Sequence, residues 1–148
     1  MAGLRPHLEK GPETHLVSTN LVGGTLVEPD GVTGKVKPCA VGSGTTVVLG
    51  LAIGDAAAVA GAVGTTTDTW GRPNAGGLTP PNEVAVAYRG SWWLKNTSGA
   101  AWTYGQRLYV GAAGIMTGTA NAGPVVGIVI EPAGVANNAE GRVRLTIR

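Results

Sequence analysis

The chain has 148 residues, enough for a single domain with a buried core. Its 43% hydrophobic content is mostly Val, Ala, Leu and Ile, with no Phe at all. Eleven basic residues face nine acidic ones for a net charge of +2, and no short window is dominated by Lys or Arg. Phosphate binding needs clustered positive charge, so this balance argues against a nucleic-acid partner.

The first residues, "MAGLRPHLEKGPETHL", contain no apolar core of a signal peptide. Residues 1–19 mix charge, Pro and Gly without periodicity and read as an N-terminal arm. Both histidines, His7 and His15, lie in it with Arg5 and Lys10, which makes these four the candidate docking residues of the arm. Short apolar segments then recur at 21–28, 32–37, 45–53, 84–89, 92–96, 107–110, 125–130 and 142–147. Each is bounded by Gly, Pro, Asn or Thr and Ser. That spacing predicts an all-β fold, a small barrel or sandwich of short antiparallel strands, forming one domain over residues 20–148.

Small, β-branched apolar groups suit thin β layers. Charged residues are only 14% of the chain and glycines number 25, so the surface is neutral and suited to burial against other protein. The most apolar run, residues 47–63, is broken by Asp55 and three glycines and is too short to span a membrane. Without an export or membrane signal, the chain is expected to stay, or be assembled, in the cytoplasm. One short helix has the sequence to form, at "GDAAAVAGA" with Asp55 as N-cap. Residues 56–83 form a long loop, in which Trp70 either anchors the loop on a neighbouring protein or caps its own barrel.

One phrase is written twice. "TLVEPDGVTGKVKP" at 25–38 returns as "IVIEPAGVANNAEGRVRL" at 128–145, each with apolar residues running into Glu-Pro-x-Gly-Val and then a Gly-basic-Val-basic stretch. Pro at the second position of a turn and Gly at the fourth predict strand, turn, strand in both copies. Convergence on good turn chemistry and internal duplication both account for it.

Little of the sequence carries chemistry. No metal-ligand spacing occurs, Gly42-Ser43-Gly44 lacks the surroundings of a nucleophile elbow, and Cys39 has no activating neighbour and reads as a small buried hydrophobe. Asp55, Glu83 and Glu131 are the carboxylates available to a glycosidase pair, with no spacing rule to unite them. The sequence therefore predicts no catalytic residue, no cofactor and no metal, and a protein that is not an enzyme. Asn96-Thr97-Ser98 matches a glycosylation sequon but reads as turn chemistry.

The unusual residues are aromatic: Tyr88, Trp92, Trp93, Trp102, Tyr104 and Tyr109 all fall within 88–109. Adjacent residues on a strand face opposite ways, so Trp92 and Trp93 cannot both enter the core, and one belongs at an interface. An exposed aromatic pair also fits a sugar-binding platform.

"YGQRLYVGAAGIMT", followed by "GPVVGIVIEPA" and "EGRVRLTIR", resembles the small phage proteins that decorate capsids, the cement or head-stabilising proteins. "VVLGLAIGDAAA" is similar to an earlier strand of that family, so the resemblance spans residues 20–148 apart from the long loop. Where the family places Asp after the Gly of the Tyr-Val strand, this chain has Gln106. The resemblance implies a virion protein, made in the host cytoplasm, that binds the major capsid protein on the outside of the expanded shell. There it would resist the pressure of packaged DNA, as a homo-oligomer, with a trimer favoured by three-fold sites. A carbohydrate- or receptor-binding module of a phage tail is the alternative.

Overall fold

The computed structural model describes residues 12–31, 34–58 and 82–147. They build ten strands: β1 (Glu13–Leu16), β2 (Leu26–Pro29), β3 (Val36–Pro38), β4 (Gly50–Ala52), β5 (Glu83–Ala87), β6 (Arg89–Lys95), β7 (Arg107–Val110), β8 (Met116–Thr117), β9 (Val125–Val129) and β10 (Glu140–Thr146). Two antiparallel five-stranded sheets result, ordered β1-β5-β4-β2-β3 and β6-β10-β9-β7-β8. The all-β expectation holds.

Both alternatives for the architecture are present at once. In the first sheet, Val17 just beyond β1 bridges in parallel to Val36 of β3, and the Ser18 N–H donates to the Val36 carbonyl at 3.0 Å. The two edge strands are thereby drawn together and the sheet curls around a small core of its own. Val17, Leu21, Val27, Val36, Ala52, Ala56, Val84 and Val86 fill it. The second sheet packs face to face on the outside of this curl, and a larger core between the sheets includes Leu26, Leu51, Ala87, Leu108, Val129, Val143 and Trp102.

Strand alternation explains how one sheet serves two cores. Successive side chains point to opposite faces, so Leu26 enters the inter-sheet core while Val27 enters the curl; Leu51 and Ala52 divide the same way, as do Ala87 and Val86. Strands buried on both faces read as unbroken apolar runs, as β4 does with all three residues buried. The second sheet has one wet face, and β10 alternates strictly, with Arg142 and Arg144 exposed and Val143 and Leu145 buried.

The chain passes from one sheet to the other between β5 and β6, separated by Tyr88 alone. Gly90, at φ +96, supplies the bend there, a conformation that side-chain-bearing residues rarely adopt. Asn96, at the far end of β6, is the one buried polar side chain among the described residues. Its Nδ2 donates to the carbonyls of Ala100 (2.7 Å) and Val135 (3.0 Å), and its Oδ1 accepts from the Ser98 N–H (3.0 Å) and hydroxyl (2.8 Å). The sequon is thus turn chemistry, with its amide consumed in closing the 96–102 loop onto Val135.

Two expectations change. Residues 13–16, assigned to the arm, are β1, paired with β5 from Glu13↔Val86 to Leu16↔Glu83; residues 1–11 lie outside the described residues. Asp55 does not cap a helix. Its Oδ1 accepts the Gly23 N–H at 2.9 Å, and Ala56 forms a bridge with Leu21, so residues 55–58 are not helical; the rest of that segment is outside the described residues.

The two Glu-Pro phrases belong to different sheets. In the second copy the turn is as expected, with the Gly134 N–H donating to the Glu131 carbonyl at 2.9 Å. In the first, Pro29 is still in β2 opposite Val36, and the chain reverses later, with the Asp30 N–H bonded to the Lys35 carbonyl at 2.9 Å. What they share is a cross-strand ion pair. Glu28 lies 3.7 Å from Lys37, and Glu131 lies 3.2 Å from Arg142.

Two substitutions test this packing. A Cβ on Gly50 would come within 2.5 Å of both the Ala87 carbonyl oxygen and Val86 Cγ1, so Gly50→Ala is expected to destabilise by about 1–3 kcal/mol. Asn96→Ala leaves buried groups unpaired and is expected to cost about 1–3 kcal/mol. Urea unfolding followed by far-UV circular dichroism measures both, and wild-type midpoints for the pair would contradict the described packing.

Candidate interaction surface

The wet face of the second sheet is set by the register of β6 on β10, in which Trp92 lies opposite Val143 and Trp93 opposite Arg142. Trp92 is half-buried and packs against the inter-sheet core, and its indole N–H donates to the Arg89 carbonyl at 2.8 Å. Trp93 points outward and is 55% exposed. The Arg142 guanidinium carbon lies 5.9 Å from the Trp93 ring centroid, and Arg142 Nε is 3.2 Å from Glu131 Oε2. A Trp-Arg-Glu chain therefore runs across the strand ends, with one ring face occupied by the cation.

Alongside it lies a row running across four strands: Ser91, Arg144, Ile128 and Arg107 are cross-strand neighbours in β6, β10, β9 and β7. A β-bulge after Leu108 shifts the register, so that Tyr109 meets Val125. Beyond Arg107 and Ile128 the face opens into a groove of about 630 Å³, walled by Val47, Pro124, Val125 and Ile147. Val47 is 60% exposed, although its neighbour Val48 is buried in the core. The groove rim comes from the β3–β4 loop, which is held over the second sheet by the Gly42 N–H donating to the Val110 carbonyl at 2.9 Å.

Of the residues singled out in the sequence, His15 sits in β1, half-buried, with Nε2 3.4 Å from Glu13 Oε2. Arg5, His7, Lys10 and Trp70 lie outside the described residues. Alternation correctly separates Trp92 from Trp93, and it is Trp93 that is left on the surface. Trp102 is buried, with its backbone paired to Val135 and its indole N–H donating to Ser98 Oγ at 3.1 Å. Tyr104 is exposed. Gln106 has a purpose that Asp would only half meet: Oε1 accepts the Thr103 N–H at 2.8 Å, while Nε2 donates to the Gly118 carbonyl at 3.2 Å. The groove and the Arg107–Arg144 row went unnoticed in the sequence, since residues so far apart meet only through strand register.

The potential nucleophiles and carboxylates are tied into local structure. Ser43 makes contacts with the Thr45 and Thr46 hydroxyls within a turn. Glu131 holds Arg142, and Asp55 holds the Gly23 N–H. Burial, with the Glu28 charge added to it, pushes the Cys39 thiol up to about 12. Among the described residues no group of three His, Cys, Asp or Glu side chains is placed to hold a metal ion, and no helix is long and apolar enough to cross a membrane.

The class this geometry defines is a two-sheet β module, one sheet curled and the other presenting a flat face bearing Trp, Arg and an apolar groove. No family model and no curated protein sequence matches the chain. Among solved structures, the fold is similar to that of the head fiber gp8.5 N base in bacteriophage phi29, with a TM-score of 0.56 and 14% sequence identity over 91% of this chain and 92% of that one. At that identity the likeness is one of fold.

The two tryptophans are expected to separate on substitution. Trp92→Ala removes core packing and should lower stability by about 2 kcal/mol or more, whereas Trp93→Ala should leave it within about 0.5 kcal/mol; chemical denaturation measures both, and equal losses would contradict the assigned faces. Cys39 supplies a second check. Folding raises its pKa, so its neutral form adds stability that is complete below the thiol's ordinary pKa near 9.0 and is lost as pH rises towards about 12. At pH 8 the thiol should react with a disulfide reagent only as fast as the protein opens, and prompt reaction without denaturant would contradict its burial.

Proposed function

We propose that the protein is a structural component of a phage head, bound to the outer surface of the expanded shell and stabilising it against the pressure of packaged DNA. The observation that carries this is the fold likeness to a phage head fiber base over nearly the whole length of both chains. The resemblance of the C-terminal half to capsid cement proteins points the same way from different information. A base that grips a shell needs a rigid platform with an adhesive face, and the outward side of the second sheet has both, since β10 is hydrogen-bonded on either side and Trp93 stands exposed upon it.

The partner in this account is the major capsid protein. Association of the protein with itself, as a trimer, places equivalent faces around a three-fold position, and many copies per particle allow modest individual affinities to add up. The protein is made in the host cytoplasm and ends on the exterior of the virion. A carbohydrate- or receptor-binding role on the tail draws on the same exposed Trp93. Arg142 occupies one face of that ring, however, and leaves less of it for a sugar to stack upon.

Purified protein should co-sediment with expanded, DNA-free shells of the phage that encodes it, and raise the temperature at which those shells rupture. A protein that ignores shells but binds members of a glycan panel would replace this account with the tail module. Sedimentation equilibrium of the free protein measures the trimer separately, and a strictly monomeric species both free and on shells would remove it.

A further inference from the structure

The charges of the described residues are segregated between the two sheets. From Pro12 to Ala87 five acidic residues stand against Lys35 and Lys37, while from Tyr88 to Ile147 five basic residues stand against Glu131 and Glu140. The overall charge hides this, because the halves cancel. On the wet face of the second sheet Arg142 is committed to Glu131. Arg107 and Arg144 are exposed and have no carboxylate partner among the described residues. They lie two strands apart with Ile128 between them, which separates their backbones by about 10 Å. The apolar groove begins beside them, at Ile128 and Val47.

From this juxtaposition we propose that the groove with Arg107 and Arg144 is a docking site for an extended acidic segment of a partner protein. Such a segment would carry two carboxylates four residues apart, with an aliphatic side chain midway between them on the same face. Four residues of extended chain span about 13 Å and bring every second side chain to one face, so carboxylates at that interval can reach both guanidiniums through the long arginine side chains while the aliphatic residue midway lies over Ile128 at the edge of the groove. Arg suits this task because its planar fork pairs with a carboxylate through two parallel hydrogen bonds. Nucleic acid fits less well: the face carries two acidic residues, one arginine is already neutralised, and an apolar groove offers nothing to a phosphate. Where the partner is the capsid shell, the site rests on the function proposed above; as a binding site it stands independently of it.

The test uses the full chain, labelled with ¹⁵N, and an N-acetylated, C-amidated pentapeptide Glu-Thr-Leu-Thr-Glu as probe, titrated in low salt. The peptide should shift the amide signals around Arg107, Ile128, Arg144 and Val47, and raised salt should reduce the effect. Replacing both Glu of the peptide by Lys, or the protein by Arg107→Glu with Arg144→Glu, should weaken the response at least tenfold. The milder pair Arg107→Gln with Arg144→Gln serves if charge reversal disturbs the spectrum as a whole. The proposal is overturned if the shifts map elsewhere, if the lysine peptide matches the glutamate one, or if an oligothymidylate shifts the same signals more strongly. It is also overturned if dilution of the protein alone moves them, which would make a second copy the occupant. Shell co-sedimentation of the same variants keeps the two ideas apart. Wild-type protein that binds peptide at this face but no shell leaves the site standing and removes the head function, and variants that lose the peptide but keep the shell place the shell contact elsewhere.

Discussion

Everything in this molecule depends on the double burial of β2, β4 and β5. Each residue pair along them, Leu26 with Val27, Leu51 with Ala52, Val86 with Ala87, sends one side chain into the curl and its neighbour into the space between the sheets. The residues of this sheet that are dry on both sides cannot be charged, so its charges fall where the strands emerge, at Glu13, Glu28, Lys37 and Glu83, and the curl is filled by Val, Leu and Ala. The dominance of Val and Ala in the curl fits that geometry, while the larger core between the sheets takes Trp102. Even the close strand approach at Gly50, where a methyl group would meet the Ala87 carbonyl, belongs to the same constraint.

The second sheet spends its surface differently. Packed on one side only, it is free to display charge and aromatic groups on the other, and β10, held between β6 and β9, alternates Arg with Val and Leu to do so. The repeated Glu-Pro phrase acquires a physical meaning here: in each hairpin the Glu before Pro faces a basic residue of the returning strand. Exposed pairs of this kind contribute little to stability, about 0–1 kcal/mol. In the second copy the pair also orients Arg142 beside Trp93 and so organises the surface on which function is proposed to depend.

Much of this was legible in the sequence, and the exceptions have specific causes. The segment 107–110 matches β7 residue for residue, and 84–89, 92–96, 125–130 and 142–147 each overlap a strand, because apolar runs bounded by turn residues mark strands wherever one face is dry. β1 escaped because "ETHL" is polar and only pairing with β5 makes it a strand; β8 escaped because two residues carry no periodicity. Alternation separated Trp92 from Trp93 but could not say which would be covered. That depends on Val143 lying opposite one and Arg142 opposite the other, from a strand about fifty residues away. The groove and the Arg107–Arg144 row are likewise products of register and of a bulge, and no local window contains them.

On the proposed function, the wet face of the second sheet points at the shell. Under the proposed head function, a cryo-electron microscopy map of the intact particle that carries the protein tests this orientation most directly. The predicted result is density for the β module on the outside of the head, with the second sheet turned towards the shell and Trp93, Arg107 and Arg144 at the contact. Density on the tail, or on the head with that face turned to solvent, would contradict it.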